Sequence, residues 1–156
     1  MGLILVRIYD SYDTAAKRAE TAAQVLKDTE MTDSFTGNEA TAIRVNYGNI
    51  LGNGDNNDAL VTVSFGPENN IMAAYRKNGD SYEYAGTVGY FYGVDNISIE
   101  KLADRPDVII FRERNNQSIG AREKSGFIRG YMYQNGKFEN VLNIDENIES
   151  WFSSTD

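Results

Sequence analysis

The chain of 156 residues has the length of one ordinary domain and a formal net charge of −8 at pH 7. It contains no cysteine and no histidine, which excludes disulfides, thiolate metal sites, cysteine nucleophiles and the commonest general base. Acidic excess repels phosphate backbones, so nucleic acid is not an expected partner, and no apolar run reaches the length of a transmembrane segment.

The N-terminal part predicts one short strand and one helix. Residues 3–9 are mostly apolar and indicate a strand or the lead-in to a helix. Residues 11–27 predict an amphipathic helix with Asp10, Ser11 and Asp13 as candidate N-caps. Its apolar stripe consists mostly of alanine, so we expect it to pack closely on a sheet. The stripe contains Tyr12, Ala15, Ala16, Ala19, Ala22, Ala23 and Leu26.

From residue 42 onward the pattern changes to the alternation of β-strands separated by turn residues. The pairs Asn78-Gly79 and Asn135-Gly136 are strong local signals for hairpins. No linker-like segment divides the chain, so we expect a single domain over residues 1–156. The predicted strands cover 42–47, 60–65, 71–76, 81–92, 96–100, 108–111, 127–133 and 138–142.

An internal repeat relates two parts of this strand-rich region. Residues 53–61 and 102–110 both read Asp-x-x-Asp followed by an apolar strand, and each is followed by a second strand that runs into an Asn-Gly turn. The two units are expected over about 53–101 and 102–144.

The first unit resembles the blade motif of FG-GAP and VCBS-type β-propellers, roughly Asp-x-Asn-Gly-Asp-Gly-x-x-Asp-Leu-Val. The resemblance lies in Asn53-Gly54-Asp55, in Asp58-Ala59-Leu60-Val61 and in Phe65-Gly66-Pro67. It implies an extracellular binding or scaffolding part whose acidic loop often binds calcium. Leu51 stands where the family has its first aspartate. A propeller needs about four or more blades, so two copies imply β-hairpin units and not a closed propeller.

The fold class expected from these patterns is α+β and mainly antiparallel β. Two repeated hairpin-rich β units form the body, and the N-terminal amphipathic helix packs on the sheet. Asp145 is the candidate N-cap of a short C-terminal helix with Ile148, Trp151 and Phe152 on one face.

The acidic loop is the first candidate site. Asn53, Asp55 and Asp58, together with Asn56 and Asn57, supply the oxygen atoms that calcium prefers. The same residue types form ordinary turns. We expect a turn that holds no metal, and no cofactor elsewhere.

A tyrosine series is the second candidate. The tyrosines of this series lie an even number of positions from one another and from Val88, so all five side chains are predicted to project from one strand face. The tyrosines are Tyr82, Tyr84, Tyr90 and Tyr92. If exposed, they would suit recognition of carbohydrate, peptide or protein. Sheet interiors also favour tyrosine, and we expect most of the series to be buried. Two further residues, Gly86 and Gly89, predict a bend or bulge midway.

A basic segment, 101–129, is the third candidate, with Arg112, Arg114, Arg122 and Lys124 as its candidate ligand residues. Its loop, 112–126, holds the insertion of the second repeat unit. An anionic ligand or acidic partner would fit there. The alternative, which we favour, is that these cations pair with the protein's own acids.

The function expected is a non-catalytic binding or accessory domain of bacterial type, extracytoplasmic or at the cell surface, with the cytoplasm as the alternative. A protein or carbohydrate is the expected partner. One alternative is a carboxylate-dependent hydrolase using Asp55/Asp58 or Asp104/Asp107. The other is a small acidic inhibitor or immunity protein.

Overall fold

The structure, a computed structural model, describes residues 5–35, 37–115 and 125–145. The predicted C-terminal helix lies outside the described residues, as does most of the insertion. The elements in chain order are β1 (Leu5–Val6), α1 (Ala15–Asp28), a 3-10 turn (Asp33–Phe35), β2 (Ala42–Gly48), β3 (Asp58–Ser64), β4 (Asn70–Asn78), β5 (Ser81–Phe91), β6 (Gly93–Glu100), β7 (Val108–Asn115), β8 (Ser125–Gln134) and β9 (Lys137–Asp145).

These strands form two antiparallel sheets, which confirms the predicted fold class. The first sheet has the order β1-β5-β4-β3-β2 and the second has the order β6-β7-β8-β9. Each sheet therefore contains a meander of four consecutive strands. The chain passes from the first meander to the second through Tyr92 alone. Strand β6 falls within the predicted first unit (53–101), but it pairs with β7 in the second sheet.

The helix begins later than predicted, and a different residue caps it. Thr14 is the N-cap, and its hydroxyl accepts the backbone N–H of Lys17 at 3.2 Å. The buried face consists of Thr21, Ala22, Val25 and Leu26. Most of the alanine stripe is exposed, contrary to the expectation that it faces the sheet, because the larger Val25 and Leu26 turn toward the core. The exposed alanines are Ala15, Ala16, Ala19 and Ala23.

Two apolar cores lie on opposite faces of the first sheet. Along β3, Val61 and Val63 join the core beneath α1, whereas Leu60 joins the core between the two sheets. Every residue of β3 is buried, since both faces of this strand are covered. No helix in the described part of the chain is long and apolar enough to cross a membrane.

Candidate functional site

Strand β5 carries the tyrosine series along the helix-side face of the first sheet. The ring centroid of Tyr84 lies 5.9 Å from that of Tyr75, and the centroid of Tyr90 lies 5.7 Å from that of Phe35. Both Tyr75 and Phe35 belong to the core beneath α1. The rings of Tyr84 and Tyr90 therefore share the helix-side face.

Two register shifts explain how this shared face is kept. They fall between Met72 and Ala73 and between Ala74 and Tyr75 on β4, so β5 carries the extra residues. The predicted irregularity at Gly86 and Gly89 is thereby confirmed. Val88 packs in the core between the sheets, so its predicted place on the tyrosine face is wrong. Each bulge reverses which residues of β5 face the helix, so after two bulges Tyr90 faces the same side as Tyr84.

Most of the tyrosine series is exposed, contrary to the prediction of burial. The exposed fractions are 38% for Tyr84, 44% for Tyr90 and 39% for Tyr92, whereas Tyr82 is only 8% exposed. Strand β1 pairs only with Tyr82 and Glu83, so it covers β5 only at its start. Beyond that point no described strand covers the outer edge of β5. We call Tyr84, Tyr90 and Tyr92 the tyrosine patch.

Hydrogen bonds fix two rings of the tyrosine patch. The hydroxyl groups of Tyr84 and Thr87 share a hydrogen bond, and the Tyr90 hydroxyl donates to Asn69 Oδ1. Burial, and then the nearby Tyr92, raise the pKa of Tyr90, so its hydroxyl is neutral and donates at pH 7. The supporting residues Thr87 and Asn69 were not predicted, because no sequence pattern marks a polar residue that meets a tyrosine across a bulge or a turn.

The acidic loop is a turn that uses its own oxygen atoms. Asn49 Oδ1 accepts the backbone N–H of Gly54 at 3.0 Å, Asn53 Oδ1 that of Asp55 at 3.1 Å, and Asp55 Oδ1 that of Asn57 at 2.9 Å. These are the short-range bonds by which asparagine and aspartate stabilise turns. The oxygen atoms are thus directed at backbone donors, as the turn alternative predicts.

The second aspartates of the two repeat motifs hold one common turn. Asp58 Oδ2 accepts the N–H of Leu51 at 3.0 Å, and Asp107 Oδ2 accepts the N–H of Asn49 at 2.8 Å. Both side chains are buried, Asp58 at 0% exposure and Asp107 at 2%. Burial raises the pKa of Asp58, and the Leu51 N–H opposes this effect. The repeated aspartates therefore join the two sheets at residues 49–51.

An ammonium group already lies at the place where a cation would be expected. Lys101 Nζ donates to Asn56 Oδ1 at 2.8 Å and to Asp107 Oδ2 at 3.3 Å. Within the described ranges, no three carboxylate, histidine or cysteine side chains come together as a metal-binding group. Binding of calcium, which the family resemblance implies, would have to displace the Lys101 ammonium or the bonds inside the turn.

Residues 112–115 of the basic segment continue strand β7, where a loop was predicted. Arg112 and Arg114 lie on β7, which runs to Asn115, because the alternation of side chains continues past the apolar residues. Arg114 Nε donates to Asp95 Oδ2 on β6. The expectation of pairing with the protein's own acids therefore holds for Arg114. Two more of the candidate ligand residues, Arg122 and Lys124, lie outside the described residues.

A shallow groove of about 470 Å³ runs beside α1. Its walls are mostly apolar, and its polar side chains are Thr32, Asn38 and Glu39. Phe35 forms part of the wall and also contacts Tyr90, so the groove and the tyrosine patch meet at this residue.

No family model matches the chain, and no curated protein or solved structure matches it. The resemblance to FG-GAP and VCBS-type repeats therefore stays a prediction from the motif residues.

Proposed function

We propose that this protein is a non-catalytic binding domain that recognises carbohydrate through the tyrosine patch, in an extracytoplasmic or cell-surface setting. The observation that carries the proposal is the exposure of three tyrosine side chains, two on β5 and one directly after it. Exposed fractions of 38–44% are high for large aromatic side chains, whose burial would favour folding.

The patch is suited to a ligand with flat apolar faces and many hydroxyl groups. Tyrosine offers a large ring face for stacking, together with a polar edge, at low cost in side-chain entropy. The Tyr84 and Tyr90 hydroxyls are already bound to Thr87 and Asn69, so these rings need little further ordering. Hydroxyl-rich sugar rings with apolar C–H faces match this combination.

Absence of catalysis is proposed because three of the four aspartates that a hydrolase would need have structural partners. Asp58 and Asp107 hold the turn at residues 49–51, and Asp55 stabilises its own loop. A glycosidase requires two carboxyl groups that face one substrate bond. The extracytoplasmic setting is supported by the family resemblance and by the chemistry of the proposed ligand.

Native affinity electrophoresis against a panel of neutral polysaccharides tests the proposal. We expect retardation by at least one of cellulose derivatives, xylan, mannan, β-1,3-glucan or starch. Tyr90→Ala should abolish that retardation, because Tyr90 is the most exposed member of the patch at 44%. Tyr47→Ala is the matched control, since Tyr47 is 50% exposed, lies on β2 and touches Tyr82 but no member of the patch.

Retardation that is equal in the parent and in Tyr90→Ala would show that the patch is not the site. No retardation by any polysaccharide in the panel would overturn carbohydrate as the ligand, and an acidic inhibitor that uses the same aromatic surface would then be favoured. Recovery of the protein from the cytoplasmic fraction of its native cells would overturn the proposed compartment.

A further inference from the structure

Two arginine side chains meet around one carboxylate where the edges of the two sheets approach each other. Arg44 projects from β2, the edge strand of the first sheet, and its Nη1 donates to the carbonyl oxygen of Val94 on β6 at 2.8 Å. The next residue on β6 is Asp95, whose carboxylate accepts from Arg114 Nε. Two guanidinium groups from different sheets therefore flank Asp95.

The charge of Arg44 has no carboxylate of its own among the described residues. Its recorded hydrogen bond goes to a neutral carbonyl oxygen, and the neighbouring Asp95 is bound by Arg114. Arg44 is half-buried, and burial lowers its pKa while Asp95 raises it. A partly desolvated cation that is incompletely compensated attracts an anion strongly.

Local backbone geometry holds Asp95 in this place. The pairing of β6 with β7 shifts register between Asp95 and Ser98, and Asn96 adopts the left-handed conformation with φ of 55°. Bulges of this kind redirect side chains near binding sites. Arg112 is the cross-strand partner of Asp95.

We propose that Arg44 and Arg114 form a binding site for a phosphate group. Arg114 uses its Nε for Asp95, which leaves its terminal Nη groups as the donors for the ligand, together with the remaining N–H groups of Arg44. Phosphate carries between one and two negative charges at pH 7 and accepts several hydrogen bonds, which suits two planar guanidinium groups. Asp95 is a positioning residue that holds Arg114. The site shares no residue with the tyrosine patch, but it lies at one end of it, because Arg114 pairs across the strands with Gly93, the residue after Tyr92.

Isothermal titration with inorganic phosphate at pH 7 tests this site, with sodium chloride used to keep the ionic strength constant. We expect one saturable site in the parent. Arg44→Gln should weaken binding about 10- to 100-fold, because one charge-assisted set of hydrogen bonds is lost. Arg76→Gln is the matched control, since Arg76 is an exposed arginine that pairs with Glu83 at 3.4 Å on the first sheet. The control should bind phosphate like the parent.

Arg44 also links the two sheets, so Arg114→Gln serves as a second variant in case Arg44→Gln does not fold. The same loss of phosphate affinity is expected for Arg114→Gln. Arg44→Lys should bind phosphate more tightly than Arg44→Gln but less tightly than the parent, because lysine keeps the charge and lacks the planar guanidinium. Two results would overturn the proposal: a parent titration with no saturable heat, or equal affinity in the parent and in both glutamine variants. Equal binding of acetate and phosphate would overturn the assignment of phosphate as the ligand.

Discussion

Asp58 is a buried acid whose protonation is coupled to folding. Burial raises its pKa above the ordinary 3.8, so the folded chain holds this proton at pH values where the unfolded chain has released it. The stability that protonated Asp58 contributes is therefore present below the unfolded-state pKa and is lost as pH rises through the raised folded-state pKa.

Asp58→Asn should remove this pH dependence and retain an oxygen atom for the Leu51 N–H. We expect the free energy of unfolding of Asp58→Asn, relative to that of the parent, to increase as pH rises from 4 to 7. Asp58→Ala should cost about 1–3 kcal/mol at pH 4, because it leaves the Leu51 N–H without its acceptor. Urea unfolding of the three proteins measures both effects. A difference in unfolding free energy between the parent and Asp58→Asn that stays constant with pH would contradict a raised pKa for Asp58.

Calcium binding is the second test at the scale of single residues. The side-chain oxygen atoms of Asn53 and Asp55 accept backbone N–H groups, and Lys101 Nζ lies on Asn56 and Asp107. We therefore expect calorimetric titration with millimolar calcium to give no heat above dilution. A one-site isotherm that disappears in Asp55→Ala would show that calcium outcompetes the bonds of the turn.

Two tyrosines that pair across strands β4 and β5 separate core from surface. Tyr75 on β4 is fully buried, and its hydroxyl donates to Asp28 at 2.7 Å, whereas its neighbour Tyr84 is 38% exposed. We expect Tyr75→Ala to lower the free energy of unfolding by about 3–5 kcal/mol and Tyr84→Ala by about 1 kcal/mol. Chemical denaturation measures both values. Similar costs for the two variants would show that Tyr84 belongs to the core, as the preference of sheet interiors for tyrosine predicted.

The strands were predictable because alternation and Asn-Gly turns are local signals. All eight strands predicted from residue 42 onward are present, and Asn135 and Gly136 both have the positive φ that such a hairpin turn requires. Exposure of Tyr90 was not predictable, since it depends on where β1 stops along β5. The replacement of the predicted N-caps by Thr14 also depends on tertiary packing, because all the candidates are good capping residues.

At the scale of the whole molecule, the end of β2 is one of the places where the two sheets meet. A Cβ atom at Gly48 would lie 2.7 Å from Ile99 Cγ2 and 2.8 Å from Asp107 Oδ2. Gly48→Ala should therefore displace Asp107 from the Asn49 N–H and cost about 1–3 kcal/mol. Gly86→Ala is the control, because its Cβ would meet only aromatic ring atoms, those of Phe138 at 3.3 Å and of Tyr133 at 3.9 Å. Equal melting temperatures for the parent and Gly48→Ala would contradict the close contact of the sheets.

Binding without turnover is the central claim, and one assay measures both parts of it in the same sample. Pure protein is incubated with each polysaccharide of the panel, and the bound fraction and the newly formed reducing ends are determined together. We predict a bound fraction that falls in Tyr90→Ala, stays unchanged in Tyr47→Ala, and is accompanied by no reducing ends above the blank. New reducing ends that disappear in folded Asp55→Asn or Asp104→Asn would contradict the account and favour the carboxylate-dependent hydrolase.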